Sequence, residues 1–370
     1  MSALFSPITL RNLVLPNRVI VSPMCQYSAE QGLATDWHLI HLGALAMSGA
    51  SMMCIEATAV ESAGRITPRC LGIWNDECQA AIGRVVTAIR RYSNIRIAMQ
   101  LAHAGRKASS HVPWEGGQQI PVSHGGWEAF APSAVPHKEG EVPPRELDAA
   151  GLDRIRQSFA AAARRAAALG LDAIEIHSAH GYLLHEFLSP VSNRRTDDYG
   201  GSLANRMRLP LEIFEVVRAA FPQDKPVGVR LSASDWVDGG WDLEQSVAYA
   251  TELGKRGADW IDVSSGGVSP LQKIPTTPGY QVPFAKAIKA ATGLPTMAVG
   301  LITEPQQAED ILATEAADLV ALARGMLYDP RWAWHAAAKL GGQVSAPPPY
   351  WRAPPREQKD LFGEISNGGR

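Results

Sequence analysis

Residues 173–182 read AIEIHSAHGY, a short apolar run that ends in histidine, glycine and tyrosine. An apolar run of strand length that ends in polar and glycine residues is typical of a buried parallel strand. Seven further runs share this pattern: Val19 to Val21, Met52 to Ala57, Ile95 to Gln100, Val227 to Leu231, Trp260 to Val263, Pro295 to Val299 and Leu319 to Leu322. Helical stretches such as Leu152 to Leu169 lie between them. The alternation predicts an α/β fold, a (β/α)8 TIM barrel with long active-site loops and an extended C-terminal tail.

The composition argues against several classes of partner. The chain has 370 residues, 46% of them hydrophobic, and a formal charge of -2 without a long basic run. We therefore expect no nucleic acid and no membrane as partner. The N-terminus lacks a basic segment followed by an apolar core, which favours a cytoplasmic protein. The four cysteines form no CxxC pair, so we expect reduced thiols and no iron-sulfur cluster.

Two connections and the C-terminus are unusually long. Residues 103–147 are rich in Gly, Pro and Trp and predict a lid inserted in the barrel, and Ser178 to Leu209 is a second long connection. A Pro-rich segment, Ser345 to Pro355, makes residues 341–370 an extended tail. No GxGxxG motif is present, so we expect no separate dinucleotide-binding domain and treat residues 1–370 as one domain.

The end of the fourth run carries the most suggestive chemistry. His177 and His180 could both donate N–H groups to one oxygen, and Tyr182 could deliver a proton to a neighbouring carbon. Such a set suits the reduction of an activated alkene. Paired histidines are also a metal-ligand pattern, or they can be structural, and these alternatives stay open.

Other strand ends offer candidate ligands for a cofactor. Arg230 ends an apolar run, where a cation needs a partner such as a reduced flavin or a carboxylate, Glu175 or Asp262. Gly300 and the pair Arg324-Gly325 follow the last two runs, the usual position of a phosphate site in barrels, whatever molecule carries the phosphate. The amide of Gln100 offers a donor and an acceptor.

The first run leads into Pro23-Met24-Cys25-Gln26-Tyr27. The thiol of Cys25 could contact a flavin or a substrate, although a lone cysteine is more often a small buried apolar residue. Tyr27 could line the pocket or simply pack against its neighbours.

The chain resembles the old yellow enzyme family along nearly all its length. The matching segments are LFSPITLRN (residues 4–12), PNR (16–18), QLAHAGR (100–106), HSAHGY (177–182), LLHEFLSP (183–190) and NRRTDDYGGS (193–202). Cys25 and Tyr27 look like the thermophilic-like class that includes xenobiotic reductases, since classical yeast and plant members carry threonine in place of the cysteine. Some xenobiotic reductases have a tryptophan after strand seven, whereas this chain has Leu301-Ile302.

The resemblance implies a role for each candidate residue. The implied cofactor is a tightly bound, non-covalent flavin mononucleotide (FMN). The residues implied to contact its ring are Pro23, Met24, Cys25, Ala57, Gln100 and Arg230. Gly300, Arg324 and Gly325 would hold its phosphate. The substrate would contact Tyr27, His177, His180 and Tyr182, with both histidines on its oxygen and Tyr182 as proton donor. Trp351 and Arg352 would come from a neighbouring subunit's tail in a homodimer or homotetramer.

The resemblance also implies a ping-pong reaction. NAD(P)H, with NADPH favoured, would reduce the flavin, and N5 would then pass hydride to the β-carbon of an enone, a maleimide or a nitro compound. The alternatives are a related FMN barrel dehydrogenase or demethylase, a dienoyl-CoA reductase, a flavin-binding sensor, and a flavin-free barrel lyase acting on a phosphorylated sugar. The absence of a cysteine cluster argues against the dienoyl-CoA reductase.

Overall fold

The fold is known from a computed structural model, which describes residues 2–363. The strands are β1 (Ile8–Leu10), β2 (Leu13–Leu15), β3 (Val19–Val21), β4 (Met52–Ala59), β5 (Arg96–Ala102), β6 (Phe130–Ala131), β7 (Arg145–Glu146), β8 (Ala173–Ser178), β9 (Val227–Ser232), β10 (Ile261–Ser264), β11 (Thr296–Val299) and β12 (Leu319–Leu322). The helices are α1 (Asp36–Ala46), α2 (Asp76–Arg90), α3 (Ala149–Ala168), α4 (Leu183–Leu188), α5 (Leu203–Ala220), α6 (Leu243–Lys255), α7 (Val282–Thr292), α8 (Pro305–Ala313), α9 (Arg324–Tyr328) and α10 (Trp332–Leu340).

Eight parallel strands close into a barrel in the order β3-β4-β5-β8-β9-β10-β11-β12. Each contains residues of one of the eight apolar runs, so the predicted (β/α)8 barrel is confirmed. Strands such as β8 and β9 are buried throughout, because side chains on one face fill the barrel and those on the other meet the helices.

The N-terminal end of the barrel is closed by a hairpin. Strands β1 and β2 pair antiparallel, and Leu10 and Leu15 are buried in a cluster with Met52 and Trp260. Gly228 on β9 leaves room for the Trp260 ring, since a Cβ at Gly228 would overlap the indole. This end is therefore a packed apolar plug.

The long connections have different structures. Residues 103–147 contain only single turns of 3-10 helix and the two-residue strands β6 and β7. The second long connection, Ser178 to Leu209, contains α4 and the first residues of α5. Ser202 caps α5 by accepting a hydrogen bond from the Asn205 amide, and this side-chain cap fixes where the loop ends.

Three further findings concern the described part of the chain. Its helices include none with the length and apolar character needed to cross a membrane. Within residues 2–363, no group of three His, Cys, Asp or Glu side chains converges in a way that could hold a metal ion. The four cysteines are free, and all except Cys25 are buried. Of the predicted tail, residues 364–370 lie outside the described residues.

Candidate active site

Parallel strands bring the candidate residues to the C-terminal end of the barrel. His177 on β8 lies in register with Arg230 on β9, and Arg230 lies in register with Asp262 on β10. Gln100 on β5 is paired with Glu175 on β8. These strand positions place the side chains around one opening, here called the mouth.

Two imidazoles and a phenol cluster at the mouth. The ring centroids of His177 and His180 are 5.1 Å apart, and those of His177 and Tyr182 are 5.0 Å apart, each pair edge to face. His180 Nε2 lies 2.7 Å from the Ser264 hydroxyl oxygen, whereas the buried Nδ1 of His177 has no partner among the described residues. The structure thus brings together the three residues that the sequence singled out.

Burial shifts the pKa values of all three side chains in this cluster, and the shifts favour two neutral imidazoles beside a protonated phenol. Burial, followed by the nearby charge of Arg230, lowers the pKa of His177 and of His180 well below the usual histidine value. Burial raises the pKa of Tyr182 well above the usual tyrosine value. At neutral pH each imidazole therefore carries one N–H, and the phenol keeps its proton.

Arg230 already has a carboxylate nearby. Its Nε lies 3.3 Å from Asp262 Oδ2, and its Nη1 donates to the Ser22 hydroxyl over 3.2 Å. Of the partners that the sequence left open for this guanidinium, the structure places the Asp262 carboxylate beside it. Burial raises the pKa of Glu175 to about 8, and Glu175 Oε1 accepts a hydrogen bond of 2.8 Å from Gln100 Nε2. The polar layer at the mouth is thus held by paired groups from four neighbouring strands.

The segment after β3 carries Pro23, Met24, Cys25 and Tyr27, all half-buried. Glu56 holds this segment in place. Its Oε2 accepts a hydrogen bond of 2.9 Å from the Gln26 amide, and its Oε1 lies 3.3 Å from His38 Nε2. Burial, and next the charge of Glu56, raises the pKa of Cys25 well above the usual cysteine value, so the thiol stays protonated. Ala57 lies where the β4–β5 register shifts, a bulge of the kind common beside active sites.

The candidate phosphate residues lie on adjacent strands. Gly300 follows β11 and Gly325 lies in α9 directly after β12, and these two strands are paired. Gly300 has φ +112°, and a Cβ there would come 2.5 Å from Gln281 Nε2. Only glycine fits this position. Arg324 is the first residue of α9.

Sequence reasoning missed Lys107 and Ser264. Lys107 Nζ lies 4.8 Å from the centre of the Tyr182 ring and donates to the carbonyl oxygens of His180 and Gly267. Its position directly after the QLAHAGR segment was the signal that could have found it. A cavity of about 140 Å³ lies between this lysine, Tyr27 and the 103–147 segment.

Trp351 and Arg352 lie at the opposite end of the barrel. Both are exposed, and Trp351 Nε1 donates to the Ala346 carbonyl. With Tyr350, Trp351 borders a groove of about 740 Å³ that is also lined by Ala50 and Ile95, which precede β4 and β5. Within one chain these tail residues are therefore not part of the mouth.

Comparison with known proteins identifies the family of the chain. A sequence model of the NADH:flavin oxidoreductase / NADH oxidase family matches residues 3–342. The chain belongs to this family. An NADPH dehydrogenase of Listeria innocua serovar 6a is 43% identical over 355 residues, which are 95% of this chain and 99% of that protein. An NADPH dehydrogenase of Geobacillus thermodenitrificans is 44% identical over 353 residues, 95% of this chain and 98% of that protein.

A solved structure agrees with this membership of the NADH:flavin oxidoreductase family. Morphinone reductase in complex with tetrahydroNAD superposes with a TM-score of 0.76 at 26% identity, and the match covers 99% of both chains. The resemblance to old yellow enzymes is confirmed, and the protein is a flavin oxidoreductase that uses a nicotinamide cofactor. Membership argues against the flavin-free lyase.

Proposed function

We propose that the protein is an FMN-dependent ene-reductase, which moves hydride from NAD(P)H to the β-carbon of enones, maleimides or activated nitro compounds. The observation that carries the proposal is the cluster of two neutral imidazoles and a protonated phenol at the mouth, with centroids 5.1 and 5.0 Å apart. A carbonyl oxygen that accepts both imidazole N–H groups gains stabilisation as negative charge develops on it.

Polar side chains at the mouth support FMN as the bound flavin. Gln100, with an amide that can donate and accept, and Arg230, a cation, lie on the same rim, and they suit the pyrimidine edge of a flavin. Pro23, Met24, Cys25 and Ala57 would line the ring. The glycine-only backbone at Gly300, with Arg324 and Gly325 on the next strand, would hold the phosphate. When bound, FMN would take two electrons from NAD(P)H and return them to the substrate as hydride.

The side chains of this chain would supply the remaining steps. His177 and His180 would bind the substrate oxygen and polarise the double bond, so that the β-carbon accepts hydride. Tyr182 would protonate the α-carbon, because its raised pKa keeps the phenol protonated at neutral pH. Cys25 and Tyr27 would border the substrate opposite the histidines. One pocket would serve both half-reactions, consistent with the single barrel domain.

We further propose NADPH as the preferred reductant, since both relatives described above are NADPH dehydrogenases. The four free cysteines suit a reducing compartment, which supports the cytoplasm as the place of action.

Isotope labelling tests the proposed reaction. The purified protein would be given NADPH carrying deuterium on the transferred hydrogen, with 2-cyclohexenone as substrate, and its released cofactor would be identified by mass spectrometry. We expect FMN, and cyclohexanone with deuterium on the β-carbon only. In D₂O with unlabelled NADPH, the label should move to the α-carbon. Consumption of NADPH without reduction of the alkene would contradict the proposal.

The tail forms a separate part of the proposal. Trp351 and Arg352 are exposed and remote from the mouth of their own barrel, so they could contribute only to another subunit's site. Light scattering should show a dimer or tetramer. Mixed oligomers of a Y182F chain and a W351A/R352A chain should recover activity, because some sites then combine an intact barrel with an intact tail. Activity of the W351A/R352A homo-oligomer equal to wild type would contradict this role.

A further inference from the structure

Lys107 joins three parts of the mouth. It belongs to the 103–147 segment, and its ammonium donates to the His180 carbonyl over 2.9 Å and to the Gly267 carbonyl over 3.1 Å. His180 lies in the loop after β8, and Gly267 in the loop after β10. The same ammonium lies over the ring of Tyr182. One side chain therefore links the lid to both loops that face the oxygen-binding pair.

The backbone that Lys107 holds is strained and tightly packed. His180 has φ +59°, in the left-handed region, which costs a residue with a side chain about 1 kcal/mol or more. A Cβ at Gly181 would overlap the Gly267 carbonyl oxygen, and a Cβ at Gly267 would overlap the His180 backbone. Two loops in such direct backbone contact persist only when surrounding groups fix them.

Other groups hold the amides of this turn but not its carbonyl. The His180 amide donates to the Ser232 hydroxyl, and the Gly181 amide donates to Nδ1 of the buried His185, each over 2.9 Å. Within residues 2–363, Lys107 is the donor found for the His180 carbonyl. Without it, the peptide between His180 and Gly181 would keep the hydrogen bond from the Gly181 amide to His185, but the His180 carbonyl would lose its donor. A shift of this carbonyl toward another donor would displace the residues on both sides.

We propose that Lys107 is a positioning residue that sets the oxygen-binding geometry of His180, through its hydrogen bonds to the His180 and Gly267 carbonyls. It acts through the backbone of the two loops, so its loss should weaken the binding of a carbonyl ligand while the flavin stays bound. The inference rests on the proposed function, because it assumes that the ligand oxygen binds to His177 and His180.

The charge of Lys107 depends on pH. Burial lowers the pKa of Lys107 to about 8. Glu186 on α4 and Glu141 in the lid favour the charged form, whereas Arg106 and Lys138 oppose it. Lys107 is therefore charged below about pH 8 and neutral above it. Glu186 has a pKa raised by burial to about 8 as well, so a pH profile must separate the two groups.

Three variants test the proposal, with cyclohexanone as a saturated ketone probe and its Kd read from the flavin absorption spectrum. K107M should raise the Kd about tenfold, the loss expected for a charge-assisted hydrogen bond, with unchanged flavin content and a melting temperature lowered by a few degrees at most. K138M removes an exposed lysine of the same lid and should leave the Kd within about twofold of wild type. K107R keeps the charge and the donors, so its Kd should stay close to wild type.

The pH profile supplies the readout that a merely structural lysine would not change. Wild type should bind cyclohexanone more weakly above about pH 8. K107R should lose this alkaline inflection, because arginine stays protonated, whereas an inflection from Glu186 would persist. A folded, flavin-loaded K107M protein with wild-type affinity, or an inflection that survives in K107R, overturns the proposal. A wild-type protein without flavin or enone turnover would instead overturn the proposed function.

Discussion

The two ends of the barrel differ in what their side chains do. At the N-terminal end, the hairpin residues Leu10 and Leu15 pack into a closed apolar cluster. At the mouth, the buried His177 Nδ1 has no hydrogen-bond partner among residues 2–363. Left-handed backbone occurs in the loops that follow β3, β8, β9 and β11, at Tyr27, His180, Trp236 and Leu301. Left-handed backbone also occurs in the hairpin turn, at Arg11. The contrast therefore rests on the side chains, which are apolar and packed at one end and polar and titratable at the other.

The largest expected effect is at the mouth. Tyr182→Phe removes the proposed proton donor, so reoxidation of the reduced flavin by 2-cyclohexenone should slow by about 10²–10⁴-fold. Flavin content and reduction by NADPH should change little, since neither needs the phenol proton. Stopped-flow absorbance measures the two half-reactions separately. Equal enone rates in the variant and wild type would show that Tyr182 is not the donor.

At the plug, the effect should fall on stability alone. Leu15→Ala leaves a cavity in a fully buried cluster and should lower the free energy of unfolding by about 2–5 kcal/mol. Turnover per bound flavin should match wild type. Val14, on the exposed face of the same strand, provides the control: Val14→Ala should cost less than about 0.5 kcal/mol. Denaturant unfolding measures both, and a large loss of turnover in folded L15A would contradict the division between the ends.

A smaller effect is expected where the mouth is organised by hydrogen bonds. Ser264→Ala removes the hydroxyl 2.7 Å from His180 Nε2 and should raise the Kd for cyclohexanone by about three- to tenfold. The melting temperature should shift by a few degrees at most. An unchanged Kd would mean that Ser264 does not orient the imidazole.

The last prediction is that the affinity for cyclohexanone does not change with pH in the range where histidines usually titrate. Burial holds the pKa values of His177 and His180 well below the usual value, so both stay neutral as the pH falls through the ordinary histidine range. The affinity for cyclohexanone should therefore be flat from about pH 7.5 to 5.5. An inflection near pH 6.5 would show that at least one imidazole titrates normally and that burial at the mouth does not keep both rings neutral.

Local pattern was sufficient to predict the barrel and the clustering of His177, His180 and Tyr182. Eight apolar runs mark the strands because parallel strands are buried on both faces, and His177, His180 and Tyr182 lie within six residues of one another. Their side chains come close together through the end of β8 and the turn that follows it. The sequence left open whether Glu175 or Asp262 lies beside Arg230, because the choice depends on the register of β9 with its two neighbouring strands.

Long-range contacts explain what the sequence could not show. Lys107 and His180 are 73 residues apart, and their contact depends on how the irregular segment 103–147 folds back over the mouth. That segment has no periodicity to indicate its path. The helix α4 inside the 178–209 connection was missed because its six residues are too few to display a helical period.

The central claim is that the mouth binds a flavin which NADPH reduces and an enone reoxidises. Its most direct test is an anaerobic visible titration of the purified protein, first with NADPH and then with 2-cyclohexenone. We expect flavin absorption to be lost with one equivalent of NADPH and restored by one equivalent of the enone. A reduced protein whose absorption stays bleached after the enone is added would contradict the account.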